Sequence, residues 1–152
     1  MYHGSCLCQA VQFDIDGDIK SVTHCHCSMC RKSHGAAFAT FAATPINNFK
    51  LTGQEHICSY ESSPGVQRTF CKHCGSQIQW IDNDRWSKEW ATFSLALLDA
   101  DLEPRKQKHI YFASKVPWLK VCDSFPKYEQ SSQPADEPIP SPVPPAESLI
   151  DS

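Results

Sequence analysis

Residues 70–76 read FCKHCGS, a stretch with the short turn of a zinc knuckle. Two cysteines three positions apart can face one ion, and Gly75 follows them where the backbone may need a positive φ. A closed tetrahedral site needs a second pair of ligands, which the N-terminal stretch GSCLC, residues 4–8, offers. The predicted structural site comprises Cys6, Cys8, Cys71 and Cys74. Such a site would tie the N-terminal strand to the middle of the chain and contribute metal-binding energy to folding.

A second cysteine cluster lies in HCHCSMCRK, residues 24–32. In a strand, alternate side chains share a face, so Cys25 and Cys27 would point together and His26 away from them. Cys6 and Cys8 are expected to converge by the same rule. With Cys30 the second cluster supplies three thiolates, and three protein ligands with one open position are typical of a catalytic or ligand-binding zinc.

The residues leave two alternatives to an open second site. The chain could bind a single zinc, with the remaining cysteines acting as small buried hydrophobes. The three-cysteine site could also be closed by His24, His73 or another atom of the chain. Cys58 and Cys122 stand alone in apolar surroundings, and we expect them to pack in the core.

The composition is that of an ordinary globular protein. The chain has 152 residues and a formal net charge of −3, so neither nucleic acid nor an anionic membrane surface is an expected partner. No leader segment opens the sequence, and no run approaches the roughly 20 apolar residues that span a membrane. Nine cysteines, an odd number, fit thiolate metal sites in a reducing compartment better than disulfides. A cytoplasmic location is therefore expected.

Alternating apolar residues predict a single, mainly β domain over residues 2–129. Strands are predicted at 11–15, 19–24, 37–42, 56–61, 66–70, 77–81, 90–97 and 110–113, with one short helical turn after Met29. Residues 130–152 differ sharply, because they are proline-rich and acidic and contain no aromatic residue. We predict that this segment is a disordered tail.

Four motifs follow one another in order: GSCLC at 4–8, CHCSMCRK at 25–32, FCKHCGS at 70–76, and a closing pair, SKVPW at 114–118 with DSFPKYE at 123–129. Together they resemble the glutathione-dependent formaldehyde-activating enzyme family, which includes the centromere protein V domain. The resemblance implies zinc-pinned antiparallel sheets of the β-tent type, related in architecture to methionine sulfoxide reductase B. It also implies two zinc ions per chain, a structural one at the four-cysteine set and a catalytic one at Cys25, Cys27 and Cys30.

For function, the resemblance implies a carbon–sulfur lyase that joins formaldehyde to glutathione as S-(hydroxymethyl)glutathione. Three thiolates weaken zinc as a Lewis acid, so capture of a thiol is more expected than activation of water. Arg31 and Lys32 directly follow the third thiolate and could offset its charge or pair with a carboxylate of the thiol substrate. The alternatives are a non-catalytic zinc module, either a glutathione carrier or a protein- or chromatin-binding domain, and a metal sensor or store.

Other residues are candidates for the surroundings of the site. Trp86 and Trp90 flank a charged loop, residues 82–85, that could form a mouth over it. Lys115 and Trp118 could line the pocket, although a position in the core is the favoured prediction for Trp118. The candidate proton shuttles are His24, His26 and His73.

Overall fold

The computed structural model describes residues 1–102, 104 and 106–131. The strands are β1 (Tyr2–Ser5), β2 (Gln12–Ile15), β3 (Ser21–Cys25), β4 (Ala39–Pro45), β5 (Phe49–Thr52), β6 (Ile57–Ser63), β7 (Val66–Cys71), β8 (Gln77–Asp82), β9 (Trp90–Ser94) and β10 (Gln107–Ile110). The α-helices in this part of the chain are α1 (Ser28–His34) and α2 (Arg85–Glu89). Short 3₁₀ turns occur at Ile46–Asn48, Gln54–His56, Leu95–Leu97 and Phe112–Ser114.

The strands form two open sheets. The smaller sheet has the order β1-β2-β5 and is antiparallel, and the larger has the order β10-β3-β4-β9-β8-β7-β6. Among the described strands of the larger sheet, only β10 and β3 run parallel, with His109 opposite His24. The predicted fold class, mainly β with antiparallel sheets, is confirmed.

The core lies between the two sheets. Phe13 and Ile15 of β2 pack against Val22, Ala42 and Phe93 from three strands of the larger sheet. The ring centroids of Phe13 and Phe93 are 5.3 Å apart. Burying each large apolar side chain contributes about 1.5–3 kcal/mol, so the period-two pattern of β2 fixes which face of the small sheet turns inward.

A C-terminal segment, residues 123–130, lies against β10. The main chain of His109 donates to one carbonyl of this segment at 2.8 Å and accepts from the N–H of Tyr128 at 3.0 Å. The His109 Nε2 also donates to Asp123 Oδ2 at 2.9 Å, and the buried Lys127 Nζ donates to Asp123 Oδ1 at 3.2 Å. The segment therefore covers the side of the sheet formed by β10 and β3.

Local structure departs from the predicted strands in several places. The expected N-terminal strand is β1, for which no bounds were predicted, and β5 was not predicted. The predicted strand at 110–113 is displaced, since β10 ends at Ile110 and Tyr111 adopts a φ of +51° before a 3₁₀ turn. The strand predicted at 90–97 is too long, because β9 ends at Ser94.

The tail prediction falls mostly beyond what the structure describes. Residues 132–152 lie outside the described residues, so the boundary between domain and tail stays a prediction. Within the described residues, no helix has both the length and the apolar character needed to cross a membrane.

Two glycines with positive φ provide a test of backbone packing. A Cβ at Gly53, φ +78°, would lie 2.0 Å from the carbonyl oxygen of Ala10, whereas a Cβ at Gly35, φ +58°, would meet nothing within 4 Å. Gly35→Ala should lower the free energy of unfolding by about 1–2 kcal/mol, the cost of the left-handed conformation alone. Gly53→Ala should cost about 3 kcal/mol or more, because a backbone clash is added. Urea denaturation of both variants measures the difference, and equal losses would contradict the close approach.

Candidate metal centres

The first candidate centre brings together four cysteines from two turns. The sulfur atoms of Cys6, Cys8, Cys71 and Cys74 all lie within 4.8 Å of one another. The turn between β1 and β2 thus meets the turn between β7 and β8, which links the small sheet to the large one. Cys6 and Cys8 converge through a tight turn, with Gln9 at φ +64°, because β1 ends at Ser5. The predicted grouping holds, but the expected strand alternation was wrong.

Main-chain hydrogen bonds build the knuckle of this centre. The N–H of Gly75 donates to the Cys71 carbonyl at 2.8 Å, and the N–H of Cys71 donates to the Ser76 carbonyl at 2.9 Å. Gly75 has the positive φ that its position predicted, +76°. The hydroxyl of Ser76 accepts from the N–H of Leu7 at 3.0 Å and so joins the two turns. Four convergent sulfur donors fit a structural zinc site.

The second candidate centre is built from the end of a strand and the start of a helix. β3 ends at Cys25, Cys27 is the N-cap of α1, and Cys30 lies in the first turn of the helix. The Cys27 sulfur accepts from the N–H of Cys30 at 3.3 Å, as N-cap side chains do. Their three sulfur atoms lie within 4.8 Å of one another. Cys27 is therefore placed by helix capping, not by the strand alternation that the sequence suggested.

Among the described residues, no further Cys, His, Asp or Glu joins this second cluster. His24, one candidate for closing it, contacts Thr40 and Gln107 through its ring nitrogens, each at 2.9 Å. His73, the other candidate, contacts His56 at 2.9 Å. In the described part of the chain, the protein thus offers this centre three donors.

Hydrogen bonds between sulfur atoms distribute acidity unevenly across the second centre. Bonds to the Cys25 and Cys30 thiols lower the pKa of Cys27 to about 2. The same bond to Cys27 raises the pKa of Cys25 well above its ordinary value. A thiophilic divalent cation would take the place of the protons that these sulfurs share. The donor set therefore fits zinc.

A residue that the sequence analysis missed contacts this centre. Arg68 of β7 is 5% exposed, and its Nη1 and Nη2 each lie 3.5 Å from the Cys30 sulfur. Its Nε donates to the Ser62 hydroxyl at 2.9 Å. The signal available in the sequence was a cation within a predicted strand, in phase with the apolar Val66 and Phe70.

The three sulfurs of the second centre line a cavity of about 380 Å³. Its walls carry four aromatic side chains, Phe41, Trp80, Trp86 and Tyr111. Arg68 and Lys108 also line it, and no Asp or Glu is among its described lining residues. Burial lowers the pKa of Lys108. A mostly apolar cavity with a few polar groups and positive charge suits a small anionic ligand.

The predicted substrate contacts occupy other positions. Arg31 donates from Nε to the carbonyl of His26 at 3.1 Å, and Lys32 is exposed beside a neighbouring depression that Met29 and Tyr60 also line. Trp86, predicted at a mouth, does line the cavity, and its ring stacks on Trp90 with centroids 5.4 Å apart.

Burial of three isolated residues was predicted wrongly. Cys58 and Cys122, expected in the core, are both exposed. Trp118 is 72% exposed, although it was also expected in the core. The Lys115 Nζ donates to the carbonyls of Val116 and Leu119, and Lys115 is not among the cavity's lining residues.

His26 is buried on the side of the sheet that the C-terminal segment covers. Its Nε2 lies 2.7 Å from Nδ1 of His109, which in turn bonds to Asp123. Burial lowers the pKa of His26 to about 4, so its ring is neutral at neutral pH. The prediction that His26 points away from the cysteine cluster agrees with this contact.

Residues 1–114 match the protein family described as glutathione-dependent formaldehyde-activating enzyme. A Schizosaccharomyces pombe protein named as an uncharacterized lyase is 31% identical over 77 residues, which cover 51% of this chain and 55% of that protein. A Podospora anserina protein named for glutathione-dependent formaldehyde activation is 27% identical over 100 residues, 64% of this chain and 45% of that protein. The chain thus spans about half the length of the curated relatives it matches.

The crystal structure of a Rhodobacter sphaeroides protein has a similar fold. The TM-score is 0.53 at 24% sequence identity, and the match covers 68% of this chain and 92% of that one. At this identity the likeness concerns the fold alone.

The four-cysteine centre should be essential for stability. Cys71→Ser removes one of four donors that link the two sheets, so we expect a loss of about 3 kcal/mol or more in the free energy of unfolding. Cys58→Ser, at an exposed cysteine on β6, is the matched control and should change it by less than about 0.5 kcal/mol. Urea denaturation followed by tryptophan fluorescence measures both, and a Cys71→Ser protein as stable as the control would contradict the structural role.

Proposed function

The chain belongs to the glutathione-dependent formaldehyde-activating enzyme family, and on that premise we propose that it is a zinc-dependent carbon–sulfur lyase. Its substrates would be a small thiol such as glutathione and a small carbonyl compound such as formaldehyde. The reducing cytoplasm, its proposed location, would keep its own thiols free.

The three-sulfur cluster on the wall of a cavity carries this proposal. Cys25, Cys27 and Cys30 all face the same space of about 380 Å³, which is within the range of small-molecule sites. A purely structural centre would have no need of a cavity beside its ligands. The four-cysteine centre differs in this respect, because the protein itself provides all four donors and leaves no position for a ligand from outside.

We assign one zinc ion to each centre. At Cys6, Cys8, Cys71 and Cys74 it would be structural. At Cys25, Cys27 and Cys30 it would supply a Lewis acid with one coordination position for a further sulfur.

The side chains around the cavity would select and hold the reactants. Lys108 and Arg68 favour an anionic thiol, and Lys108 can pair with a carboxylate of glutathione. The aromatic walls exclude water and confine the thiol and the carbonyl compound together, which lowers the entropic part of the barrier. Arg31 and Lys32 stay candidates for contacts with parts of the thiol outside the cavity.

The reaction is an addition that balances without an oxidant or reductant. The thiol sulfur forms a bond to the carbonyl carbon while the π bond of the carbonyl breaks. The proton lost by sulfur is taken up by the carbonyl oxygen. With formaldehyde the product is the S-hydroxymethyl adduct of the thiol. In the reverse direction the carbon–sulfur bond breaks and both reactants are released.

Metal content tests the assignment of the centres. Wild-type protein should contain two zinc ions per chain, and the Cys25→Ala/Cys27→Ala variant should contain one while keeping its circular-dichroism spectrum. A Cys58→Ala/Cys122→Ala variant, which changes two exposed cysteines, should keep both ions. One zinc in the wild type would contradict the second centre.

Catalysis is tested by the exchange between free glutathione plus formaldehyde and their adduct, measured by NMR. The wild type should accelerate this exchange above the spontaneous rate, and Cys27→Ser should return it to that rate because a metal ligand in the cavity is lost. Cys58→Ser should retain the wild-type rate. Wild-type protein that holds two zinc ions and binds glutathione without acceleration would instead support a non-catalytic glutathione carrier.

A further inference from the structure

Arg68 is a buried cation whose charge needs a partner. Among the described residues, no carboxylate forms an ion pair with it. Its hydrogen-bond partners there are the Ser62 hydroxyl and the Cys30 sulfur. Burying a guanidinium against neutral groups alone is costly, so the negative charge has to come from the sulfur cluster.

The contact has the geometry of a charge-assisted fork. Both terminal nitrogens of Arg68 reach one sulfur at equal distances of 3.5 Å, while Nε is held by Ser62. Arginine presents donors in this rigid, planar arrangement, and lysine does not. The sulfur of Cys30 is thereby held at a fixed place on the cavity wall.

The charges of the proposed centre explain why a cation is placed there. Three thiolates around a divalent ion leave one excess negative charge, and Arg68 supplies one positive charge beside it. A fixed partner also orients a ligand atom, and the loss of such a partner typically weakens metal binding. Lys108 lines the same cavity but makes no hydrogen bond to a cysteine sulfur within the described residues.

We propose that Arg68 is a positioning residue of the three-cysteine centre: it fixes the Cys30 sulfur within the cluster and would neutralise the excess charge of three thiolates around a bound metal. The proposal rests on the proposed function, because it requires a metal at Cys25, Cys27 and Cys30.

The first test is metal retention. The loss of each zinc to a chromogenic chelator is timed in the wild type and in the variants Arg68→Met, Arg68→Lys and Lys108→Met. In Arg68→Met the second zinc should leave about 10–100-fold faster, as found for other partners of metal ligands, while the first zinc is retained. Arg68→Lys, which keeps the charge but loses the fork, should be intermediate, and Lys108→Met should stay within about twofold of the wild type.

The second test is a spectrum that a merely structural role would not change. In the cobalt-substituted protein, Arg68→Met should shift sulfur-to-cobalt charge-transfer absorption to longer wavelength, because the sulfur electrons are no longer stabilised by the guanidinium. Lys108→Met should leave these bands in place. If Arg68→Met does not fold, Arg68→Lys decides the matter, and zinc loss and bands identical to the wild type in that variant would overturn the proposal.

The outcomes also separate this proposal from the proposed function. Suppose that the wild type does not accelerate adduct exchange but Arg68→Met loses the second zinc faster. That result would support the positioning role of Arg68 and contradict the proposed lyase activity. Accelerated exchange in the wild type, together with unchanged zinc loss in Arg68→Met, would contradict the role of Arg68 and still agree with the lyase activity. A wild-type protein with a single zinc would overturn both.

Discussion

The meeting of four sulfur atoms from two distant turns is the constraint on which the rest of the structure depends. Cys6 and Cys8 lie in the turn between β1 and β2 of the small sheet, and Cys71 and Cys74 lie at the end of β7 and in the turn that follows it. Fixing that turn fixes the end of β7 at Cys71. Arg68 lies three residues before Cys71 on the same strand, so the closed centre also determines where the guanidinium meets the second centre.

The two candidate centres differ in their donors and surroundings but share a framework. The first has four protein donors, and a metal bound there would mainly contribute free energy to folding. The other has three donors in the described residues, a cavity beside them, and cations on its walls. Strand β7 connects the two, because it carries Cys71 of the first centre and Arg68 beside the second.

Cysteine spacing predicted which neighbouring cysteines would converge, because that needs only short-range geometry, and the need for four ligands predicted which two pairs would join. The alternation of Phe13 and Ile15 likewise predicted the buried face of β2. Predictions failed where distant neighbours decide the outcome: Cys58 and Trp118 look apolar in sequence, yet both are exposed in the part of the chain that the structure describes. Arg68 was missed for the opposite reason, since a cation in a strand is usually solvated unless a distant anion pairs with it. The reason for the position of Cys27 was also predicted wrongly. Cys27 is placed by capping the helix α1, not by alternation along a strand.

The C-terminal segment has a consequence for where the domain can be cut. The family match ends at residue 114, but Asp123 and Tyr128 still bond to His109, and His109 contacts His26 between two ligands of the second centre. A fragment that stopped at the family boundary would leave a buried imidazole without its carboxylate and strip the cover from β10. Expression boundaries, and alignments used to compare relatives, should accordingly extend at least to residue 130. The residues up to that point hold β10, the strand that also carries Lys108 of the cavity wall.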